Sequence, residues 1–200
     1  SVNRAPRHAQ RGLPGKECTL SVQIKTVADI GIVGLPNAGK STLLSVLTDA
    51  RPKTGDYPFT TTAPNLGVMV YKGEVQIVIA DMPGLVEGAS GGHGLGIRFL
   101  RHIERTKGLL LLLDLSRGDF RDQYETLLGE MGSYSDSLLQ KPRLVVGGKQ
   151  DAAPEGAAEE FLRSGPGDVR LCVSSVTRSG IERLKDEIVA LMGRANEPGG

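Results

Sequence analysis

Cysteine is scarce in the 200-residue chain: Cys18 and Cys172 are the only two. Two cysteines make no disulfide framework. Each lies in an apolar, strand-like run, which predicts buried free thiols and a reducing compartment. No charge sign dominates, because 24 basic side chains stand against 23 acidic ones and leave a net charge of +1. That balance excludes a strongly basic nucleic-acid glove as the starting reading. Long apolar runs are missing too. No run exceeds the five residues of 109–113, far short of a membrane span. No cationic and then apolar signal segment opens the chain, so the cytoplasm is the expected location. Tryptophan is absent, and aromatic residues make up 4%.

Glycine, by contrast, is abundant, at 27 of 200 residues, about twice the usual share of ~7%. It follows no collagen period, so it points to a backbone that turns sharply or approaches something closely. A length of 200 suits one domain with a short appendage. Residues 1–26 begin basic, polar and aperiodic, and then Leu20, Val22 and Ile24 alternate with polar residues. This segment reads as the tail of another domain, and the initial Ser1 as a sign of a longer protein. From residue 27 onward, apolar strands (28–33, 75–80, 109–113, 144–146, 169–173) alternate with helical patterns (42–48, 95–106, 119–131, 154–162, 181–192). That alternation predicts an α/β fold, with a mainly parallel sheet covered on both faces. Residues 27–195 form the main domain, and 196–200 are expected to be a flexible tail. No internal repeat is visible.

Gly34, Leu35, Pro36, Asn37, Ala38, Gly39, Lys40 and Ser41 fit G-x-x-x-x-G-K-S between a strand and a helix. That context marks a phosphate-binding loop. Backbone N–H groups and the helix dipole favour phosphate there. Lys40 would reach the β- and γ-phosphates, and Ser41 would bind Mg²⁺. The alternative is a chance glycine-rich turn. Asp81, Met82, Pro83 and Gly84 follow the strand 75–80. The aspartate can hold the hydration shell of Mg²⁺, and the Gly84 N–H can bond a γ-phosphate. Without the phosphate loop, the same residues would read as an ordinary turn. Between these motifs, one of Thr60, Thr61 and Thr62 can complete the metal's coordination. Chemistry does not choose among the three, and an edge strand is the alternative. Gly148, Lys149, Gln150 and Asp151 follow the strand 144–146. Asp151 can accept from guanine N1–H and its exocyclic amine, a donor pair adenine lacks. The Lys149 stem can lie against the base. Among Ser174, Ser175 and Val176 a backbone N–H can meet guanine O6, although such a sequence is common.

In this order the motifs resemble the G domain of translation-factor-class P-loop GTPases. GLPNAGKS at 34–41, DYPFTT at 56–61, PNLG at 64–67 and DMPGLVEGASGGHGLG at 81–96 are similar to the Obg family of ribosome-associated GTPases. NRAPRHAQRGLPGKE at 3–17 resembles the end of that family's glycine-rich N-terminal domain. The likeness covers essentially the whole chain, and 81–96 is its most specific part. It implies a P-loop NTPase G domain with a six-stranded sheet. Ser41 and Thr61 become the Mg²⁺ ligands. Phe59, Thr60, Thr61, Thr62 and Ala63 join the phosphate loop, the Asp81 motif, the Asp151 motif and the Ser174 motif around the nucleotide. It further implies slow GTP hydrolysis, a nucleotide-controlled switch in assembly of the large ribosomal subunit with its ribosomal RNA, and a link to stress signalling through guanosine tetraphosphate. A monomer is expected. The glycines at 88, 91, 92, 94 and 96 would let the segment after Asp81 switch with the nucleotide.

Two positions depart from related patterns. Leu85 stands where Ras-like enzymes carry a catalytic glutamine, and a leucine cannot orient water. The catalytic residue is therefore open, with Lys40, Thr61 and Gly84 as candidates. Asn37 is a possible K⁺ ligand by analogy with related GTPases, or it only stabilises the loop turn. Gly148 replaces the family's asparagine, which would bond base N7 and tie this loop to the phosphate loop. Its absence predicts weaker but still guanine-selective binding. His8, His93 and His102 have no metal-ligand spacing. Arg98, Arg101, Arg105 and Lys107 read as a solvated basic face, with ribosomal RNA as the sharper alternative. Besides a GTP-hydrolysing switch, two readings stay open: a nucleotide-sensing module with negligible turnover, and an ATPase.

Overall fold

Burial of both faces explains the run of five leucines at 109–113. In the computed structural model, which describes residues 28–48, 53–54, 65–82, 105–167 and 169–196 with the single positions 12 and 15, that run is the strand β5 (Gly108–Asp114), buried at every position. Leu110 and Leu112 point into one core, and Leu109, Leu111 and Leu113 into the other. Each such leucine contributes about 1.5–3 kcal/mol of burial free energy.

Around β5 stand β1 (Ile30–Val33), β2 (Lys53–Thr54), β3 (Asn65–Tyr71), β4 (Val75–Asp81), β6 (Arg143–Gly148) and β7 (Arg170–Cys172). Their order in the sheet is β2-β3-β4-β1-β5-β6-β7. Six strands have three or more residues, the expected number, and the two-residue β2 makes a seventh at the edge. The pairs β1–β4, β1–β5, β5–β6 and β6–β7 are parallel, whereas β2 and β3 are antiparallel.

Among the described residues the α-helices are α1 (Lys40–Leu47), α2 (Phe120–Tyr134), α3 (Asp136–Leu139), α4 (Ala157–Ser164) and α5 (Ile181–Asn196). Leu43, Leu44 and Leu47 of α1 share one core with Ile181, Leu184 and Ile188 of α5. Leu127 and Met131 of α2, Leu138 of α3 and Phe161 of α4 fill the other. Phe161 meets Phe120 edge to face, with ring centroids 5.4 Å apart.

The strand β3 was not expected. It returns along β4 through Lys72 and Gly73, both left-handed at φ 50° and 76°, with Glu74 N–H donating to the Tyr71 carbonyl at 3.2 Å. A lysine at the first left-handed position is not the usual asparagine or aspartate signal for such a turn. The short α3 was also unforeseen. Residues 95–104 of an expected helix, and the strand-like pattern at 20–24, lie outside the described residues. α5 runs to Asn196, one residue past the expected domain end.

Candidate nucleotide site

The central strand β1 has β4 on one side and β5 on the other. Loops leaving the carboxyl ends of parallel strands at such a point diverge and open a crevice. The phosphate-loop residues leave β1 there. Gly34 lies so close to β5 that a Cβ would stand 2.6 Å from the Leu112 carbonyl oxygen. Ala38 N–H donates to the Leu35 carbonyl at 3.2 Å. Asn37 adopts φ 63°, and Gly39 adopts φ 96°. Asparagine tolerates the left-handed region better than most side chains, which accounts for Asn37 as a turn residue. The left-handed Gly39 also starts α1 at Lys40, two residues earlier than the apolar pattern suggests. Lys40 and Ser41 therefore occupy the first helical turn, at the positive end of the helix dipole.

The Lys40 ammonium donates to the carbonyls of Gly34 at 3.0 Å and Leu35 at 3.2 Å. Ser41 Oγ donates to Asp81 Oδ2. Asp81 closes β4 and is 1% exposed, and its Oδ1 is buried without a hydrogen-bond partner. A hydroxyl beside a carboxylate with one orphaned oxygen is the oxygen-rich donor set a hard divalent cation accepts. Among the described residues no group of three or more His, Cys, Asp or Glu could hold a metal. The oxygen donors of Ser41 and Asp81 fit Mg²⁺, which takes few protein ligands and relies on phosphates and water for the rest. Ser41 would bind it and Asp81 would hold its hydration shell. Thr61, together with Phe59, Thr60, Thr62, Ala63, Pro83 and Gly84, lies outside the described residues, as does Leu85.

The base loop follows β6. The Lys149 ammonium, on a left-handed residue at φ 56°, donates to the Asn37 carbonyl at 2.8 Å and to Asp114 Oδ2 at 2.7 Å. The tie to the phosphate loop, expected to be missing with Gly148, is made by Lys149. Its head is committed to that bridge, beyond the expected role of its stem. Asp114 ends β5. Its Oδ1 accepts from Ser116 N–H at 3.0 Å and from Ser116 Oγ at 2.5 Å. Gln123 of α2 clamps the Asp114 backbone in both directions, at 2.8 and 2.9 Å, and also donates to Asp119 Oδ1 at 2.6 Å. Sequence reasoning missed Asp114 and Gln123. The available signal was an aspartate ending an all-apolar strand, since a buried charge needs a partner.

Burial pushes the Asp114 carboxyl up, but the hydrogen bonds from Lys149 and Ser116 outweigh it and hold the carboxyl below the usual range. A folded-state value below the unfolded one stabilises the protein above the unfolded value, near ~3.9. That stability is lost as the pH falls through the folded value. The stability difference between the wild type and Asp114→Asn, measured by urea unfolding, is expected to be constant from neutral pH down to about 5 and to shrink below about 4.

A cavity of about 290 Å³ runs from Ala38 and Gly39 past Leu112 and Gly148 to Asp151 and Ser175. Val176, 80% exposed, also lines it. The fold thus brings together the phosphate loop, the 148–151 loop and the 174–176 loop. Ser174 is fully buried, and its N–H is used by the Ser179 carbonyl at 3.0 Å, so Ser175 and Val176 are the members that face the cavity. Other expectations change. Lys107 pairs with Asp29 at 3.0 Å, so it is not simply part of a solvated basic face. Cys172 is free but only half-buried; burial and then the charge of Glu159 push its thiol up to about 11. Cys18, the three histidines, Arg98 and Arg101 lie outside the described residues. Among the described residues, no helix is long and apolar enough to cross a membrane.

A family described as 50S ribosome-binding GTPase matches residues 29–149. GTPase Obg of Chlorobaculum tepidum is 52% identical over 189 residues, which is 94% of this chain and 56% of that protein. GTPase Obg of Chlorobium phaeovibrioides is 48% identical over 201 residues, 99% of this chain and 59% of its own. The chain spans little more than half the length of these curated relatives. Among solved structures, the G domain of the T. maritima FeoB iron transporter superposes with a TM-score of 0.62 at 26% identity, over 81% of this chain and 96% of that one. Era of Aquifex aeolicus, bound to GDP·AlF4−, gives 0.61 at 24% identity, over 88% of this chain and 58% of its own, a likeness of fold. Phosphate loop, sheet order and relatives agree: the chain belongs to the Obg family of P-loop GTPases.

Proposed function

We propose that the chain is a Mg²⁺-dependent GTP-binding switch that hydrolyses GTP slowly and acts in the cytoplasm, as a monomer, in assembly of the large ribosomal subunit. The observation that carries this reading is the convergence of Lys40, Ser41 and Asp81 at one helix N-terminus. Lys40 would leave the loop carbonyls for the β- and γ-phosphates. Ser41 and Thr61 would hold Mg²⁺ and Asp81 its hydration shell, and the ion would supply charge neutralisation at the phosphate oxygens when bound. Asn65 pairs with Asp81, so the chain rejoins the sheet at the metal end only four residues after Thr61. Asp151 would read the guanine donors. The slow rate follows from Leu85, which leaves attacking water without a side-chain orienter. Binding to the large subunit rests on the matched family's description, and the assembly role and guanosine tetraphosphate rest on the Obg resemblance. Residues 52–62 and 85–96 would be the segments that respond to the γ-phosphate. K⁺ at Asn37 would predict faster hydrolysis in KCl than in NaCl at matched ionic strength.

A second reading is favoured by Leu85 and Gly148: a guanine-nucleotide-sensing module with negligible turnover. Calorimetry with GDP, GTP, ADP and guanosine tetraphosphate in Mg²⁺, followed by single-turnover hydrolysis with and without large subunits, separates them. GDP is expected to bind at least tenfold more tightly than ADP, on the order of the discrimination one missed buried pairing provides. Equal affinities would overturn guanine selectivity, and hydrolysis absent in every condition would favour the sensing module. Asp81→Asn is expected to cut the affinity gained on adding Mg²⁺ by about tenfold, the worth of one charge-assisted contact. Titrating GDP binding with and without Mg²⁺ reads this directly.

A further inference from the structure

Gly148 and Leu112 are neighbours at the end of the parallel pair β5–β6, where Leu112 is level with Val146 and Asp114 with Gly148. A Cβ on Gly148 would stand 2.9 Å from Leu112 Cδ1 and 3.6 Å from the Leu113 carbonyl oxygen. Two carbons do not settle that closely, since their favourable separation is ~3.5–4.0 Å. The Leu112 methyl thus occupies space that a side chain at 148 would need. Leu112 is buried, yet it lines the cavity beside Gly148, together with Ala38, Ala152 and Val173.

We infer that Leu112, through the gap at Gly148, forms a hydrocarbon wall against the imidazole edge of the purine, so that the site reads guanine through its Watson–Crick edge alone. The inference rests on the guanine-nucleotide reading above and adds which part of the base is recognised. Guanine offers N1–H and the exocyclic amine as donors on one edge and N7 as an acceptor on the other. Asp151 is suited to the donors only. Lys149, the strongest donor in the base loop, spends its ammonium on the Asn37 carbonyl and Asp114. Leu112, Ala38, Ala152 and Val173 supply carbon to the lining, while the hydroxyl residues Thr42 and Ser175 come from α1 and the 174–176 loop. A site that makes no hydrogen bond to N7 loses nothing when N7 becomes C–H, whereas a site built around such a bond rejects the analogue.

The same geometry makes Leu112 and Gly148 a coupled pair. Placing asparagine at 148 requires the Leu112 methyl to shift, so Gly148→Asn alone gains less affinity than it would beside a shorter neighbour. Shortening the neighbour with Leu112→Val opens the space, and the double variant gains both affinity and a sensitivity to N7.

Calorimetry with GDP and 7-deaza-GDP, in which N7 is replaced by C–H, tests both statements on the wild type, Gly148→Asn, Leu112→Val and the double variant. The wild type is expected to bind the two nucleotides within about twofold of each other. The double variant should bind GDP about fivefold more tightly than the wild type does, and should prefer it to 7-deaza-GDP by a similar factor, the worth of one hydrogen bond. A wild-type preference for GDP above fivefold would overturn the inference, and that comparison requires no variant to fold. A gain from Gly148→Asn alone equal to that of the double variant would overturn the steric coupling. If GDP does not bind the wild type at all, the guanine reading itself fails, an outcome distinct from GDP and 7-deaza-GDP binding unequally.

Discussion

Lys149→Met is expected to lower stability by about 2 kcal/mol and to weaken GDP binding by about 100-fold. The methionine keeps the length and the apolar stem of the lysine and removes only the ammonium. Two bonds go with it, to the Asn37 carbonyl at 2.8 Å and to Asp114 at 2.7 Å. The Asp114 side chain is 7% exposed, and the Lys149 side chain 38%. Stripping a partner from a fully buried charge costs about 3–5 kcal/mol. Water reaches Lys149, and Ser116 still donates to Asp114, so the lower figure of about 2 kcal/mol applies. The larger effect on binding arises because the bridge sets the phosphate loop and the base loop at one spacing. Without it the nucleotide must order both loops as it binds, which takes binding energy away from its contacts. Urea unfolding and GDP calorimetry measure the two effects. The double variant with Asp114→Asn should recover most of the stability, because no unpaired charge is left behind. The destabilisation by Lys149→Met should also fade below about pH 4, where the unpaired carboxylate takes up a proton. A stability loss unchanged by Asp114→Asn would show that the ion pair is not its source.

Lys40→Met should lower stability by about 2 kcal/mol at most and weaken GDP and GTP by at least about 100-fold. The Lys40 head bonds two backbone carbonyls, of Gly34 and Leu35, worth about 1 kcal/mol each at most in a partly exposed setting. Toward phosphate the same ammonium makes charge-assisted bonds of about 1.5–3 kcal/mol each. Two of them lost correspond to at least about 3 kcal/mol, or more than 100-fold in affinity. GTP should suffer more than GDP, since the lysine would reach the γ-phosphate as well as the β-phosphate. GDP affinity within tenfold of the wild type would remove Lys40 from the phosphate site.

The two lysines differ in how they can be read. Lys40 is fixed by its immediate neighbours: a left-handed glycine before it, a helix start at it, and a hydroxyl residue after it. All of that is contiguous sequence, so the phosphate loop, its helix and the aspartate closing β4 were legible from residue order and hydrophobic pattern. The alternation of apolar strands with helices likewise dictated a parallel sheet with two covered faces, because leucines buried on both sides of β5 leave no polar face to expose. Its edge was not legible. The hairpin of β3 and β4 turns on a lysine in a left-handed conformation, which propensity argues against and tertiary pairing imposes.

Lys149 owes its role to residues 112 and 35 positions away along the chain. Leu112 likewise owes its role to a residue 36 positions along the chain, since its methyl takes the room beside Gly148. From sequence, Gly148 was a missing side chain and a lost link between the loops. The order of the sheet, with β1, β5 and β6 side by side, brings Asn37, Asp114 and Lys149 within hydrogen-bond distance and supplies that link. Sequence by itself determined the strand–loop–helix that carries the phosphate-loop motif and the aspartate that ends β4, because those features are written in adjacent residues. Only the tertiary structure decided how the base loop is held and walled, because that depends on which strands lie next to one another, and strand order leaves no local mark in the chain.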